Sequence, residues 1–289
     1  DGFLLRSNVI ASQVEIHARY GGVVPEVASR QHLLTIEGVV KSALDEAEIT
    51  LGSLDAIAVT NGPGLAGALL VGVNYAKGLA QGLDLPLLGI NHLEGHVYAA
   101  WLVENKPEKN PGLPLVCLIA SGGHTDLLLM EAHHKFRLLG RSRDDAAGEA
   151  FDKAARVLGL GFPGGPAIQR AAEDAWGGEN LPRAWLSGSH DFSFSGLKTA
   201  LLHLAQEKKL YPPVEGITPD PRLVKNVAAS FQQAVAHVLV EKTVAAAREY
   251  AARGIILGGG VAANSLLRSW MIEKAHVPVI VPPPVLCTD

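Results

Sequence analysis

Cysteine and charge are both scarce in this chain. Among 289 residues only Cys117 and Cys287 are cysteines, too few for a disulfide framework and in keeping with a reducing compartment. Charged residues make up 19% and the net charge is −4, so there is no overall basic excess of the kind that marks a nucleic-acid binder. If RNA is a partner, a local patch or a second subunit must supply the positive field. Long uncharged apolar runs are missing too. The nearest, residues 65–83, is interrupted by Asn74 and Lys77, which argues against a membrane span. With no signal-peptide pattern, a soluble cytoplasmic protein is expected. No Walker A loop occurs, since no glycine turn is followed by Gly-Lys-Ser/Thr, so no single signature identifies a phosphate site.

What is present is apolar residue content, 48% of the chain. That is enough for a globular protein of two ordinary domains. The ends look cut. The chain opens on Asp1-Gly2, a dipeptide that usually joins hairpin strands, and stops on the polar pair Thr288-Asp289. A strand before Asp1 is therefore expected to be missing.

The chain is organised around residues 91–101, NHLEGHVYAAW. An apolar strand is expected over 85–90, and Asn91 suits the start of a helix. In that helix His92 and His96 stand four residues apart on one face, which is how a helix offers two nitrogens to a divalent metal. The alternative is a histidine pair on a packed or solvated helix without metal. Glu94 is two residues on from His92, whereas zinc proteases place their glutamate directly after the first histidine, so the base of that mechanism is missing.

Around this stretch the chain alternates strands and helices. Apolar residues 3–10 read as a strand, 16–24 as a loop and 25–51 as one or two helices. Then follow a strand over 55–60, the turn Asn61–Gly64, a helix over 65–83 and a linker over 103–114. The second half opens on strands 115–120 and 126–130 joined by Ser121-Gly122-Gly123-His124-Thr125. Helices are expected over 143–158 and 227–250, with a breaker-rich loop at 159–166 between them. A strand over 254–257 ends in Gly258–Gly260, a helix restarts over 262–268, and a strand covers 279–281. The first half is an α/β pattern with a parallel sheet, and the second half opens as a hairpin around its glycine turn.

Strand, glycine turn and helix in succession bring backbone N–H groups and a helix N-terminus towards phosphate oxygens. Such places occur at Gly62–Gly64, Gly164-Gly165 and Gly258–Gly260, with Ser121–Gly123 as a turn between strands. Each alone is weak; together on a two-lobed chain they favour a nucleotide. Asp152 suits ribose hydroxyls, or equally an ion pair with Lys153 or Arg156. Asn264 suits an adenine edge or ribose, or merely caps a helix. Lys198 reads as a phosphate or RNA contact, or as a structural lysine. Asp289 would complete a two-histidine, one-carboxylate ligand set suited to iron(II) or zinc.

Taken together, these blocks resemble the tRNA adenosine threonylcarbamoyltransferase family (TsaD; formerly O-sialoglycoprotein endopeptidase), bacterial type. The resemblance runs through residues 11–28, GPGLAGALLVG (62–72), NHLEGH (91–96), SGGHT (121–125), DDAAGEAFDK (144–153), GGP (164–166), FSFSGLKT (192–199), GGGVAAN (258–264) and CTD (287–289). It implies an actin-like, sugar-kinase-like α/β fold of two lobes with the active site between them, here 1–113 and 114–289. It implies one metal, iron(II) or zinc, on His92, His96 and Asp289. The nucleotide, threonylcarbamoyl-adenylate or ATP, falls on Ala120, Ser121, Gly122, Gly123, His124, Asp152, Gly165 and Asn264. Gln169 stands where the family often carries an acid, which puts one ribose contact in question.

The implied reaction moves a threonylcarbamoyl group onto the N6 amine of the adenosine beside the tRNA anticodon. The implied partners are tRNA, a TsaB-like pseudo-homologue and a TsaE-like ATPase, with a homodimer as a further option. No catalytic base stands out. The expected gap at the N-terminus leaves open that the chain as it stands is inactive. The rival readings are an actin-like ATPase or kinase, a nucleotide-holding scaffold, and the metalloprotease that Glu94 speaks against.

Overall fold

The computed structural model describes residues 4–102, 111–213 and 219–287. Their contacts separate into two compact units, one of residues 4–98 with Leu102, the other of residues 99–101 and 111–287.

The first unit is built from α1 (Val14–Ala18), α2 (Pro25–Glu46), β1 (Ile57–Gly62), α3 (Ala66–Leu83), β2 (Leu87–Asn91) and α4 (His92–Tyr98). Pro25 opens α2, where its missing N–H costs nothing. β1 and β2 run parallel, with Ile57 opposite Leu87 and Thr60 opposite Ile90, and α3 is the crossover between them, as the glycine turn suggests. The strand expected over 3–10 is not found in its described part. Residues 4–13 have no regular structure, and Leu4 and Leu5 instead line an apolar groove of about 400 Å³ with Val40 and Leu44 of α2. A short apolar run reads the same whether it pairs with a strand or packs on a helix. The loop expected over 16–24 in turn contains most of α1.

The second unit holds β3 (Leu115–Ala120), β4 (Thr125–Ala132), β5 (Lys135–Arg141), α5 (Ala147–Val157), α6 (Gly164–Ala171), α7 (Ser195–Glu207), α8 (Pro221–Glu249), β6 (Gly254–Gly258), α9 (Ser265–Lys274) and β7 (Val279–Ile280). Its sheet order is β5-β4-β3-β6-β7. β3 pairs antiparallel with β4, the hairpin expected around the glycine turn, and parallel with β6. Every residue of β3 and β6 is buried, as a central strand covered on both faces requires. On one face Val116, Leu118, Leu127 and Leu129 join a core with α5 and α8, where the rings of Phe151 and Phe231 meet edge to face at 5.6 Å.

The helix expected over 143–158 begins only at Ala147, because the residues before it are spent on another segment. Arg143 Nε donates to Asp191 at 2.6 Å. Asp144 accepts from the Ser193 hydroxyl (2.5 Å) and from the N–H groups of Phe194 (2.8 Å) and Ser195 (3.2 Å). Asp145 accepts from Lys153 (2.7 Å) and Lys198 (3.2 Å). Burial raises the Asp145 carboxyl, but the two lysines outweigh it and hold it below the usual range. Lys198 is thus paired with Asp145.

Asp144 caps α7 from a distant part of the chain and completes donors that the helix itself leaves open. Asp144→Ala is expected to destabilise the second unit by about 2 kcal/mol, measured as a fall in urea midpoint at constant slope. An unchanged midpoint would refute this capping role. Two further elements were not anticipated: β5 and α7. The glycine-rich loop also ends inside α6, which starts at Gly164, and the restart near 262 is a 3-10 turn (Gly260–Ala263) before α9.

Candidate functional site

In the first unit β2 passes directly into α4. The Asn91 carboxamide oxygen accepts the N–H of Leu93 at 2.9 Å, which is the helix start its residue type favours. One turn of helix then sets His92 above His96, with ring centroids 4.6 Å apart at an interplanar angle of 63°. His96 is buried and His92 half-buried. Two imidazoles this close on one face suit two nitrogen ligands of one metal ion. Asp289 lies outside the described residues. Among the described residues no group of three or more His, Cys, Asp or Glu gathers as a metal cluster.

The second unit carries the glycine turn between β3 and β4. It is closed by the Ser121 N–H on the His124 carbonyl (2.8 Å) and by the His124 N–H on the Ser121 hydroxyl (3.2 Å). Gly122 and Gly123 stand exposed at its tip. The start of α5 supports the turn from behind. The Gly148 N–H donates to the Ser121 carbonyl at 3.1 Å and the Ala147 N–H to the Thr125 hydroxyl at 2.8 Å. A Cβ on Gly148 would lie 2.5 Å from the Ser121 oxygen, and one on Gly259 2.4 Å from the Ala120 oxygen. Both glycines are therefore needed for close approach. Gly148 escaped the sequence reading because its partner only becomes visible once the turn is placed.

Asp152 of α5 accepts the N–H of Gly164 at 2.7 Å, at the start of α6. Burial pushes its carboxyl above the ordinary range, and the Gly164 N–H and the Arg156 charge only partly offset that. The Lys153 pairing is not found, since that lysine is taken by Asp145 and Glu149. Gly165 follows with open space where a side chain would stand. Further along α6, the Gln169 side-chain Oε1 accepts the N–H of Ser265 at 2.8 Å, so the residue in place of the family's acid ties α6 to α9. Asn264 does cap α9, accepting from the Leu267 N–H at 3.0 Å, and its amide donates to Gln232 at 2.8 Å.

The turn Ala120–His124, Asp152 with Gly165 beside its Gly164 partner, and Asn264 at the start of α9 all belong to the second unit. Glycine turns and helix starts are the kinds of group that suit a phosphate. Gln232 and Gly148, which contact Asn264 and Ser121, were not singled out; nothing in their local sequence separates them from other polar or small helical residues.

Residues 5–289 match the sequence model of the family described as TsaD, tRNA N6-adenosine threonylcarbamoyltransferase. A protein of that name from Dehalococcoides mccartyi (strain BAV1) is 57% identical over 289 residues, which is 100% of this chain and 84% of the relative. Another of that name, from Thermomicrobium roseum, is 56% identical over 306 residues, covering 100% of this chain and 83% of its own length. Among solved structures, HypF of T. kodakarensis superposes with a TM-score of 0.58 at 14% identity, over 88% of this chain and 42% of HypF. A full-length HypF in a phosphate- and nucleotide-bound form gives 0.61 at 12% identity, over 88% and 47%. At such identities the structural likeness speaks for the fold alone, and it agrees with the α/β actin-like, sugar-kinase-like class.

Proposed function

Because this chain belongs to the tRNA N6-adenosine threonylcarbamoyltransferase family, we propose that it transfers a threonylcarbamoyl group from threonylcarbamoyl-adenylate to tRNA. The acceptor is the exocyclic N6 amine of the adenosine 3′ of the anticodon, in tRNAs that read codons beginning with A. The carrying observation is identity above half over the whole chain with proteins named for this reaction.

The chemistry follows from the donor. A carbamoyl-phosphate mixed anhydride is already activated, so positioning and charge stabilisation suffice. The amine nitrogen bonds to the carbamoyl carbon, the bond from that carbon to the phosphate oxygen breaks, AMP departs, and the amine gives up a proton. In this reading the amides of residues 121–124 hold the phosphate, while Asp152, Gly165 and Asn264 hold the adenosine. His92, His96 and Asp289 hold one divalent metal, with iron(II) preferred to zinc; the close imidazole pair fits that role. When bound, such an ion supplies Lewis-acid charge to the donor's oxygens. The net charge of −4 favours helper subunits, of TsaB-like and TsaE-like type, in docking the tRNA. A cytoplasmic location belongs to the same reading.

The test combines this chain with iron(II), threonylcarbamoyl-adenylate, the partner proteins and unmodified tRNA, followed by nucleoside mass spectrometry. Threonylcarbamoyladenosine is the expected product. Phosphate release from ATP without that nucleoside would replace the transferase reading with the ATPase one.

A further inference from the structure

Away from these residues, the second unit has a cavity of about 570 Å³ between β5, the C-terminal half of α8 and the segment carrying residues 185–190. Lys242 of α8 lines it and is only 2% exposed. Its ammonium donates to the carbonyls of Ser189 (2.7 Å) and Leu186 (3.2 Å). An ammonium has three donors, and no third acceptor is found among the described residues. The neighbouring carboxylate, Asp191, is committed to Arg143 and to the Arg141 N–H. A buried cation whose neighbouring carboxylate is shared with an arginine is costly, and burial pushes the Lys242 amine down, with the Asp191 charge only partly offsetting it. An entering anion would relieve that cost.

The other walls are aromatic and polar. The Trp185 ring centre is 5.3 Å from the Lys242 nitrogen, and the residue is 50% exposed. Glu249 accepts from the Tyr250 hydroxyl and pairs with His190 at 2.9 Å, and the Tyr250 ring carries the Arg137 guanidinium at 4.7 Å from its centre. Lys242 and Glu249 are seven residues apart on α8, hence about 10 Å along one face. That separation matches a nucleotide, with phosphate at one end and the amine-bearing edge of a base at the other.

We propose that this cavity holds one unstacked nucleotide of the tRNA, with its phosphate on Lys242, its base against Trp185 and an exocyclic amine on Glu249. The assignment rests on the transferase reading for the source of the nucleotide. Single-stranded bases are commonly held by stacking on aromatic rings while cationic side chains meet the backbone phosphates.

Three titrations decide it. Binding of labelled unmodified tRNA by fluorescence anisotropy should weaken about tenfold in Trp185→Ala, a change at a half-exposed side chain that the fold tolerates. Lys242→Gln should lower the slope of log affinity against log salt by about one; circular dichroism identifies a variant that has lost its fold, and Trp185→Ala alone then decides. CMP, which carries an exocyclic amine, should quench the wild-type tryptophan fluorescence more than UMP, and Trp185→Ala should abolish the difference. CMP binding without any effect on tRNA affinity would assign the cavity to a free nucleotide and overturn the tRNA assignment. Unchanged tRNA affinity with no CMP binding would overturn the site itself. Normal threonylcarbamoyladenosine formation with an unchanged tRNA KM in Trp185→Ala would do so while leaving the transferase reading intact. CMP binding in a chain that makes no such product would sink that reading alone.

Discussion

His92→Ala is expected to lower threonylcarbamoyladenosine formation by at least about a hundredfold and to leave the purified protein with little bound metal. His92 is half-buried and stands beside His96 with ring centroids 4.6 Å apart, so its removal leaves the packing of the buried His96 and Val97 largely in place. Thermal melting should accordingly change little while elemental analysis falls from one metal per chain. Glu94→Gln serves as the control. A protease base would follow the first histidine directly, and Glu94 follows it by two, so this variant should keep its metal and its activity. Full activity of His92→Ala with metal still bound would refute the histidine pair as ligands. Activity lost in Glu94→Gln would reopen the hydrolase reading.

How much of this was legible depended on whether the signal was local. β3 and β6 announced themselves because both faces are buried, giving the continuous apolar runs LVCLIA and GIIL. β5 is the edge strand of the same sheet, mostly exposed, and its sequence KFRLLGR carries charge throughout; nothing in it separates a strand from a loop. α7 was hidden for another reason. Its N-terminus is completed by Asp144, 50 and 51 residues away from the amides it receives, so no cap residue precedes the helix. The histidine pair was legible because four-residue spacing on a helix is itself the geometry. The role of Gln169 was not, because its partner is the Ser265 amide 96 residues on. Asp152 lay between these cases. Its position suggested a nucleoside ligand or an ion pair, and the structure adds a third partner, the Gly164 N–H, that periodicity does not disclose.

Gly259→Ala tests whether the second unit needs β6 to end as close to the β3 carbonyl as it does. Gly259 sits at φ +84°, ψ 163°, a backbone region essentially reserved for glycine, and forcing an L residue there costs about 1–3 kcal/mol. Its new Cβ would also lie 2.4 Å from the Ala120 oxygen and 2.7 Å from the carbonyl carbon. These are backbone atoms of a central strand and cannot swing away, so the overpacking costs another 1–3 kcal/mol or so. The two together should lower the melting temperature by several degrees. They should also shift the Ser121–His124 turn, so that affinity for an adenine nucleotide falls with stability.

Gly165→Ala separates the two effects. Its Cβ meets nothing within 4 Å and alanine favours the helix, so stability should hold or rise. The added methyl, placed where the adenosine of the ligand is proposed to rest, should still weaken the nucleotide. Calorimetric titration beside thermal melting reads both variants. A Gly259→Ala protein as stable as the wild type would mean that β6 and β3 can part without cost. A Gly165→Ala protein that binds nucleotide unchanged would move the ligand off the start of α6.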